Sequence, residues 1–244
     1  MPEEIGPAVP GAPGVPGAPG VPGAPAVGRF AGHRAHRGTP HSVRDTAGAG
    51  GVSEVGRRLA SASASGARET PPDLVEGLAA AAAGVATASC ARLVVLVDGR
   101  SGTGKTTLGG SLADRLGAQL VHLDDVYPGW DGLPAAAQAV VTDVLGEPSG
   151  YRRWDWAVSR PAEWVAVDPA QPIVIEGCGA LSRRSAPLAS LRVWLEADDA
   201  TRWERAISRD GEVFAREWER WAAQEAAFIA AERPAALADV VVRT

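Results

Sequence analysis

The chain has 244 residues, 45% of them apolar, and carries 24 basic against 29 acidic residues for a net charge of −5. That suffices for one sizeable α/β domain with a proper core, and the acidic balance argues against a dedicated nucleic-acid binder, which needs a basic face to meet phosphates. Cys90 and Cys178, in unlike contexts, make neither a disulfide framework nor a metal cluster and fit a reducing cytoplasm. No run reaches the ~18 apolar residues of a membrane span, and the start Met-Pro-Glu-Glu-Ile lacks the basic and apolar stretches of a secretory signal.

Composition shifts along the chain. Residues 1–72 hold most of the prolines, one aromatic (Phe30) and 7 arginines against 5 acids, whereas residues 73–244 hold all eight tryptophans and 17 basic against 24 acidic residues. A tail over 1–72 followed by one folded domain over 73–244 is the expectation. Residues 11–25 are five Gly-X-Pro triplets, which could wind into a collagen-like triple helix. Five triplets are short for a trimer, and the same composition makes a disordered, solvated polyproline-II tail that has little to bury. His33, His36 and His41 lack Cys, Asp or Glu at ligand spacing, so a metal site there is disfavoured.

After Pro71-Pro72, Asp73 can cap a helix whose Leu74, Val75, Leu78, Ala82 and Val85 recur at helical spacing. Arg92 to Asp98 is a continuous β-branched run, expected of a strand buried on both faces of a parallel sheet. From there the pattern alternates: helix 108–116, strand 119–123, helix 135–145, strand 172–176, strand 191–195, helices 200–207 and 216–231, strand 239–242. Five strands separated by helices predict a parallel sheet covered on both sides.

Between the first strand and its helix, Gly99-Arg100-Ser101-Gly102-Thr103-Gly104-Lys105-Thr106 matches G-x-x-x-x-G-K-[ST] in full. The glycines let successive N–H groups point inward at an anion, and the next helix adds its positive end. Lys105 can bridge β- and γ-phosphates while Thr106 offers a hydroxyl to Mg²⁺. The nucleotide-binding set is thus Gly99 to Thr106 with Thr107. Lys105 is the chain's sole lysine among 24 basic residues; where arginine serves everywhere else, a compact ammonium answers a local demand.

The second strand ends in Val121-His122-Leu123-Asp124-Asp125-Val126-Tyr127, at the carboxyl edge where open α/β sheets bind ligands. An acid there can take a hydroxyl proton or hold water around a metal, or simply cap a turn. Ile173-Val174-Ile175-Glu176-Gly177 repeats the design, with Glu176 placed to orient metal-bound water and Gly177 permitting close backbone approach. Arg202, Arg205 and Arg209 share a helix face, and Asp210-Gly211-Glu212 breaks that helix. Helix-loop-helix with arginines at the hinge suits a closing lid; a solvated charged face is the other reading. Tyr151 to Trp156 reads equally as a ligand platform or as a packed surface strand, and Trp203, Trp218 and Trp221 read as packing.

Taken together, the 99–106 loop, Asp124-Asp125-Val126-Tyr127, the Glu176-Gly177 strand end and Arg205-x-x-x-Arg209-Asp210 resemble the uridine kinase and nucleoside kinase branch of P-loop kinases, over about residues 92–243. The resemblance implies a P-loop NTPase three-layer sandwich with a helical lid, ATP and Mg²⁺ as cofactors, and γ-phosphoryl transfer to a hydroxyl of a small molecule, most simply a nucleoside. It implies Asp124 as the base with Asp125 beside it, Arg205 and Arg209 on the transferring phosphate, and Lys105, Thr106 and Glu176 at the phosphates and metal. A nucleotide or sugar kinase, or an ATP-hydrolysing switch, are the alternatives. A phosphorylated acceptor would require further arginines, for which Arg152-Arg153 and Arg183-Arg184 are the candidates.

Overall fold

The computed structural model describes residues 71–89 and 91–244; the Gly-X-Pro repeat, the histidine group and Cys90 lie outside them. Helix α1 (Pro72–Ser89) precedes β1 (Val94–Gly99), α2 (Lys105–Leu116) and β2 (Gln119–His122), which runs into a 3-10 turn (Leu123–Asp125). Then come α3 (Leu133–Ala139), which widens into a π-helical turn (Val140–Val144), and an antiparallel hairpin of β3 (Gly150–Asp155) and β4 (Arg160–Ala166). The chain ends with β5 (Ile173–Glu176), β6 (Leu191–Glu196), α4 (Asp199–Glu232), the short α5 (Pro234–Leu237) and β7 (Val240–Arg243).

Five strands form one parallel sheet in the order β2-β5-β1-β6-β7. Every residue of β1 is buried, because alternate side chains enter different cores. Val94 and Leu96 face α3 and α4, with Leu133, Val140, Phe214 and Trp221. Val95 and Val97 face α1 and α2, with Leu78, Ala82, Leu108 and Leu112. The α/β sandwich read from the alternation of strands and helices is therefore present, its central strand flanked by β5 and β6 and its helices on both faces. Each fully buried Leu or Val contributes ~1.5–3 kcal/mol, so Leu74, Val75 and Leu78 suffice to dock α1 on the sheet.

The two helices expected at 200–207 and 216–231 are present as the two limbs of α4, separated at Gly211, whose φ of 67° and ψ of −155° interrupt the helical backbone at the expected break. One element differs from the sequence expectation. The strand reading of 151–156 holds for β3 (Gly150–Asp155), and its partner β4 was not foreseen. Pro161 and the largely exposed faces of β4 give no apolar alternation to read, and the hairpin stands apart from the main sheet. Among the described residues no helix is long and apolar enough to cross a membrane.

Candidate functional site

Glycine-rich sequence at the carboxyl end of β1 turns the chain through Gly99, Gly102 and Gly104, all at positive φ, into the first turn of α2. Gly102 admits no side chain: a Cβ there would lie 2.2 Å from the Arg202 carbonyl oxygen on α4. Lys105 opens α2, is buried, and its Nζ donates to the Arg100 carbonyl at 3.0 Å. Burial opposes its charge, yet Cys178, Glu176, Glu225 and Asp98 around it raise its pKa.

The loop separates two concavities. On one side a cavity of about 450 Å³ is lined by Arg100, Thr103, Trp194, Asp198, Arg202 and Thr244 among others. On the other, a tighter cleft of about 40 Å³ brings together Lys105, Thr106, Asp124, Glu176 and Arg209, walled by Tyr127, Trp130, Trp156, Phe214 and Trp221. Five residues picked out from four separate sequence segments thus share one cleft. Arg100 and Thr103 face the larger cavity, Ser101 and Gly102 the cleft, and Thr107 lines neither, being a carbonyl partner of Ser111 within α2.

Asp125 and Arg205 do not line the cleft. Asp125 has its pKa raised by burial and lowered by His122 and Arg153. Arg205 donates to the Thr244 hydroxyl at 2.9 Å, which donates in turn to the Thr103 carbonyl at 3.1 Å. The three arginines expected on one helix face divide: Arg202 is buried under the phosphate loop, Arg205 reaches the chain's last residue, and Arg209 enters the cleft, paired with Asp210 at 2.7 and 2.8 Å. Burial works against the Arg209 charge, but Asp210, Asp124 and Glu176 hold its pKa above the ordinary value.

The acids differ in their partners. Asp98, wholly buried, accepts from the N–H groups of Gly99, Gly179 and Leu181 at 2.6, 3.1 and 2.8 Å; burial pushes it up to about 7 against those bonds. Glu176, also buried, takes His122 Nδ1 at 2.6 Å, and that bond raises the imidazole pKa against its desolvation. Asp124 is pushed up to about 6 by burial and by Glu176, with Arg209 and Lys105 pulling the other way. Its peptide oxygen accepts from Trp156 Nε1 at 2.8 Å, so the end of the hairpin holds the acid's backbone in place. Gly177 fits as read: a Cβ would lie 2.5 Å from that of Leu123.

Sequence reading passed over Glu225, His122 as a partner, and Asp98. Glu225 had left a signal, since it falls on the stripe Phe214, Trp218, Trp221, Phe228, where α4 spacing calls for an apolar residue. Of the tryptophans read as packing, Trp203 and Trp218 meet edge to face at 5.0 Å, whereas Trp221 both packs on Tyr127 at 4.7 Å and walls the cleft.

The strand-loop-helix at β1 and the five-stranded parallel sheet define an α/β fold of the P-loop type. No family model matches the chain, and none of the curated proteins matches it. Among solved structures, it is similar to a possible uridine kinase from Bacillus stearothermophilus, with 21% identity, 62% of this chain and 89% of that one covered, and a TM-score of 0.43. It is also similar to a candidate fructose transport system kinase from Silicibacter sp. TM1040, with 22% identity, 67% and 98% covered, and a TM-score of 0.47.

Proposed function

We propose that the chain is an ATP-dependent kinase that transfers the γ-phosphoryl group to a hydroxyl of a small unphosphorylated molecule, a nucleoside or a nucleoside-like compound, and that residues 73–244 are its catalytic domain. The observation that carries this is the convergence of Lys105, Thr106, Asp124, Glu176 and Arg209 on one cleft beside the phosphate loop. The larger cavity across the loop has room for the nucleoside part of ATP, with Trp194, Arg100 and Arg202 in its walls.

In this reading the loop amides and the N-terminus of α2 bind the phosphates, and Lys105 spans the β- and γ-oxygens. Thr106 and Glu176 suit Mg²⁺, which takes one or two protein oxygens and completes its shell with phosphates and water; bound there, it neutralises charge developing on the transferring group. Asp124 accepts the acceptor's hydroxyl proton at its carboxylate, a role that suits a carboxylate held near pH 6. Arg209 offsets the charge on the equatorial oxygens. The cleft, about 40 Å³, is narrow for a nucleoside, and in this reading the segment from Arg209 to Phe214 opens about Gly211 to admit the acceptor.

Two features favour an acceptor without phosphate. Arg152 and Arg153 turn to Ala162 and Glu163 on the hairpin, and neither they nor Arg183 and Arg184 line the cleft. The aromatic walls suit a flat ring or a sugar face. The test is ADP formation by the full chain with MgATP against a panel of nucleosides, sugars and nucleoside monophosphates. Stimulation by nucleosides supports the reading, and stimulation by sugars alone makes the chain a sugar kinase. Hydrolysis that no acceptor stimulates makes the chain an ATP-driven switch, and stimulation by monophosphates alone overturns the acceptor class.

A further inference from the structure

A loop built to hold phosphates has a carboxylate buried against it. Glu225, 3% exposed and on the second limb of α4, accepts the Ser101 N–H at 2.6 Å, the Arg100 Nε at 3.0 Å and the Cys178 thiol at 3.4 Å. Arg202, 2% exposed and on the first limb, donates to the Ser101 carbonyl at 3.2 Å. The two side chains lie 3.9 Å apart, and Arg202 is held from its far side by Asp199 at 2.5 Å and by the face of Trp218. Both backbone polar groups of one phosphate-loop residue are therefore taken by side chains from opposite sides of the Gly211 bend.

A negative charge this close to bound phosphates opposes them, and an ion pair this deeply buried is worth little for stability by itself. The arrangement makes sense when its work is geometric. With Ser101 fixed at its N–H and its C=O, and Gly102 pressed on the Arg202 carbonyl, the loop has one shape, and the two cations beside Glu225 cancel its field toward the ligand. We propose that Arg202 and Glu225 are positioning residues that clamp Ser101, preorganise the phosphate loop for nucleotide, and tie its shape to the angle between the two limbs of α4. The clamp rests on the nucleotide-binding reading of the loop but not on any acceptor.

The experiment is calorimetric titration of the full chain with MgATP, well below the melting temperature of every variant, alongside thermal unfolding. Glu225→Ala should weaken MgATP binding on the order of 10- to 100-fold, the value of a hydrogen bond to a charged group, whereas Glu225→Gln, which keeps an acceptor for the Ser101 N–H, should recover most of it. Arg202→Met should weaken binding similarly and Arg202→Lys, which keeps a donor of comparable reach, should restore it; this pair carries the test if Glu225→Ala does not fold. Because the two act on one residue, the double variant should lose no more than the worse single one. Lowered melting temperature with unchanged MgATP affinity in Glu225→Ala and Arg202→Met would make the pair purely structural and overturn the clamp alone. Wild-type chain that binds no MgATP would overturn the nucleotide reading and the clamp with it.

Discussion

Replacing Asp124 by Asn separates catalysis from stability, because the same burial drives the two in opposite directions. In the folded chain the carboxyl titrates near 6 instead of near 3.8, so ionising it at pH 8 costs the folded state ~3 kcal/mol. Partial contact with solvent screens this to ~1–2 kcal/mol. Asparagine never ionises and keeps the shape, so the variant should be more stable than the parent at pH 8, with the advantage vanishing as pH falls below 4, where both side chains are neutral. Turnover should move the other way, falling about 10²–10⁴-fold with loss of a general base, while MgATP affinity holds because the loop is untouched. In the parent, kcat/KM should fall tenfold per pH unit below about 6, as the base becomes protonated. Urea unfolding at pH 4 and pH 8 and steady-state rates from pH 5 to 9 measure both arms. A variant less stable than the parent at pH 8, or one with intact kcat and collapsed MgATP affinity, refutes the reasoning and makes Asp124 a structural or metal-side acid.

Other substitutions probe the rest of the cleft. Lys105→Ala should bring phosphoryl transfer to background, and parent-like turnover would end the kinase assignment. Arg209→Ala should lower kcat on the order of 10²-fold with a much smaller change in the acceptor KM, since a cation aimed at developing charge acts mainly in the transition state; an unchanged kcat would leave Arg209 as the partner of Asp210 only. Deleting residues 1–70 should leave melting temperature and turnover nearly as in the full chain, because every proposed site residue lies beyond residue 98; a loss above ~1 kcal/mol would mean the tail docks on the domain.

What the sequence revealed, it revealed through local constraints. The shape of the glycine-rich loop was legible because three glycines at fixed spacing must turn the chain from β1 into α2, and β1 because burial on both faces leaves an unbroken apolar run. The acids of the cleft were legible because they sit at strand ends, where topology fixes their destination. The divergence of Arg202, Arg205 and Arg209 was not, since helical spacing gives a shared face but not which neighbour each turn meets: the phosphate loop, Thr244 or the cleft. Glu225 is the same case inverted. Its side chain is acceptable inside the protein because Ser101, 124 residues away in sequence, brings an N–H to it and Arg100 a guanidinium. The β4 strand escaped because pairing with β3 alone imposes no alternation on it.

Strand register explains how one sheet edge supports three acids with different work. Glu176 on β5 is level with Val97 on β1 and with His122 on β2, so the ends of three adjacent parallel strands put Asp98, Glu176 and Asp124 within one neighbourhood, with Lys105 and Arg209 as the nearby cations. Left equivalent, such acids would repel one another and drive each other's pKa upward. Partners break the equivalence. Asp98 is consumed by three peptide N–H groups and fastens the 177–181 segment to the phosphate loop, and Glu176 is shared with His122. The Asp124 carboxylate alone of the three accepts no hydrogen bond among the described residues, while its backbone is pinned by Trp156. In the proposed kinase reading, a carboxylate whose position is fixed and whose lone pairs are uncommitted is the one suited to meet a substrate hydroxyl. This is the ground on which Asp124 is proposed as the base over Asp98 and Glu176, which have already given up their lone pairs.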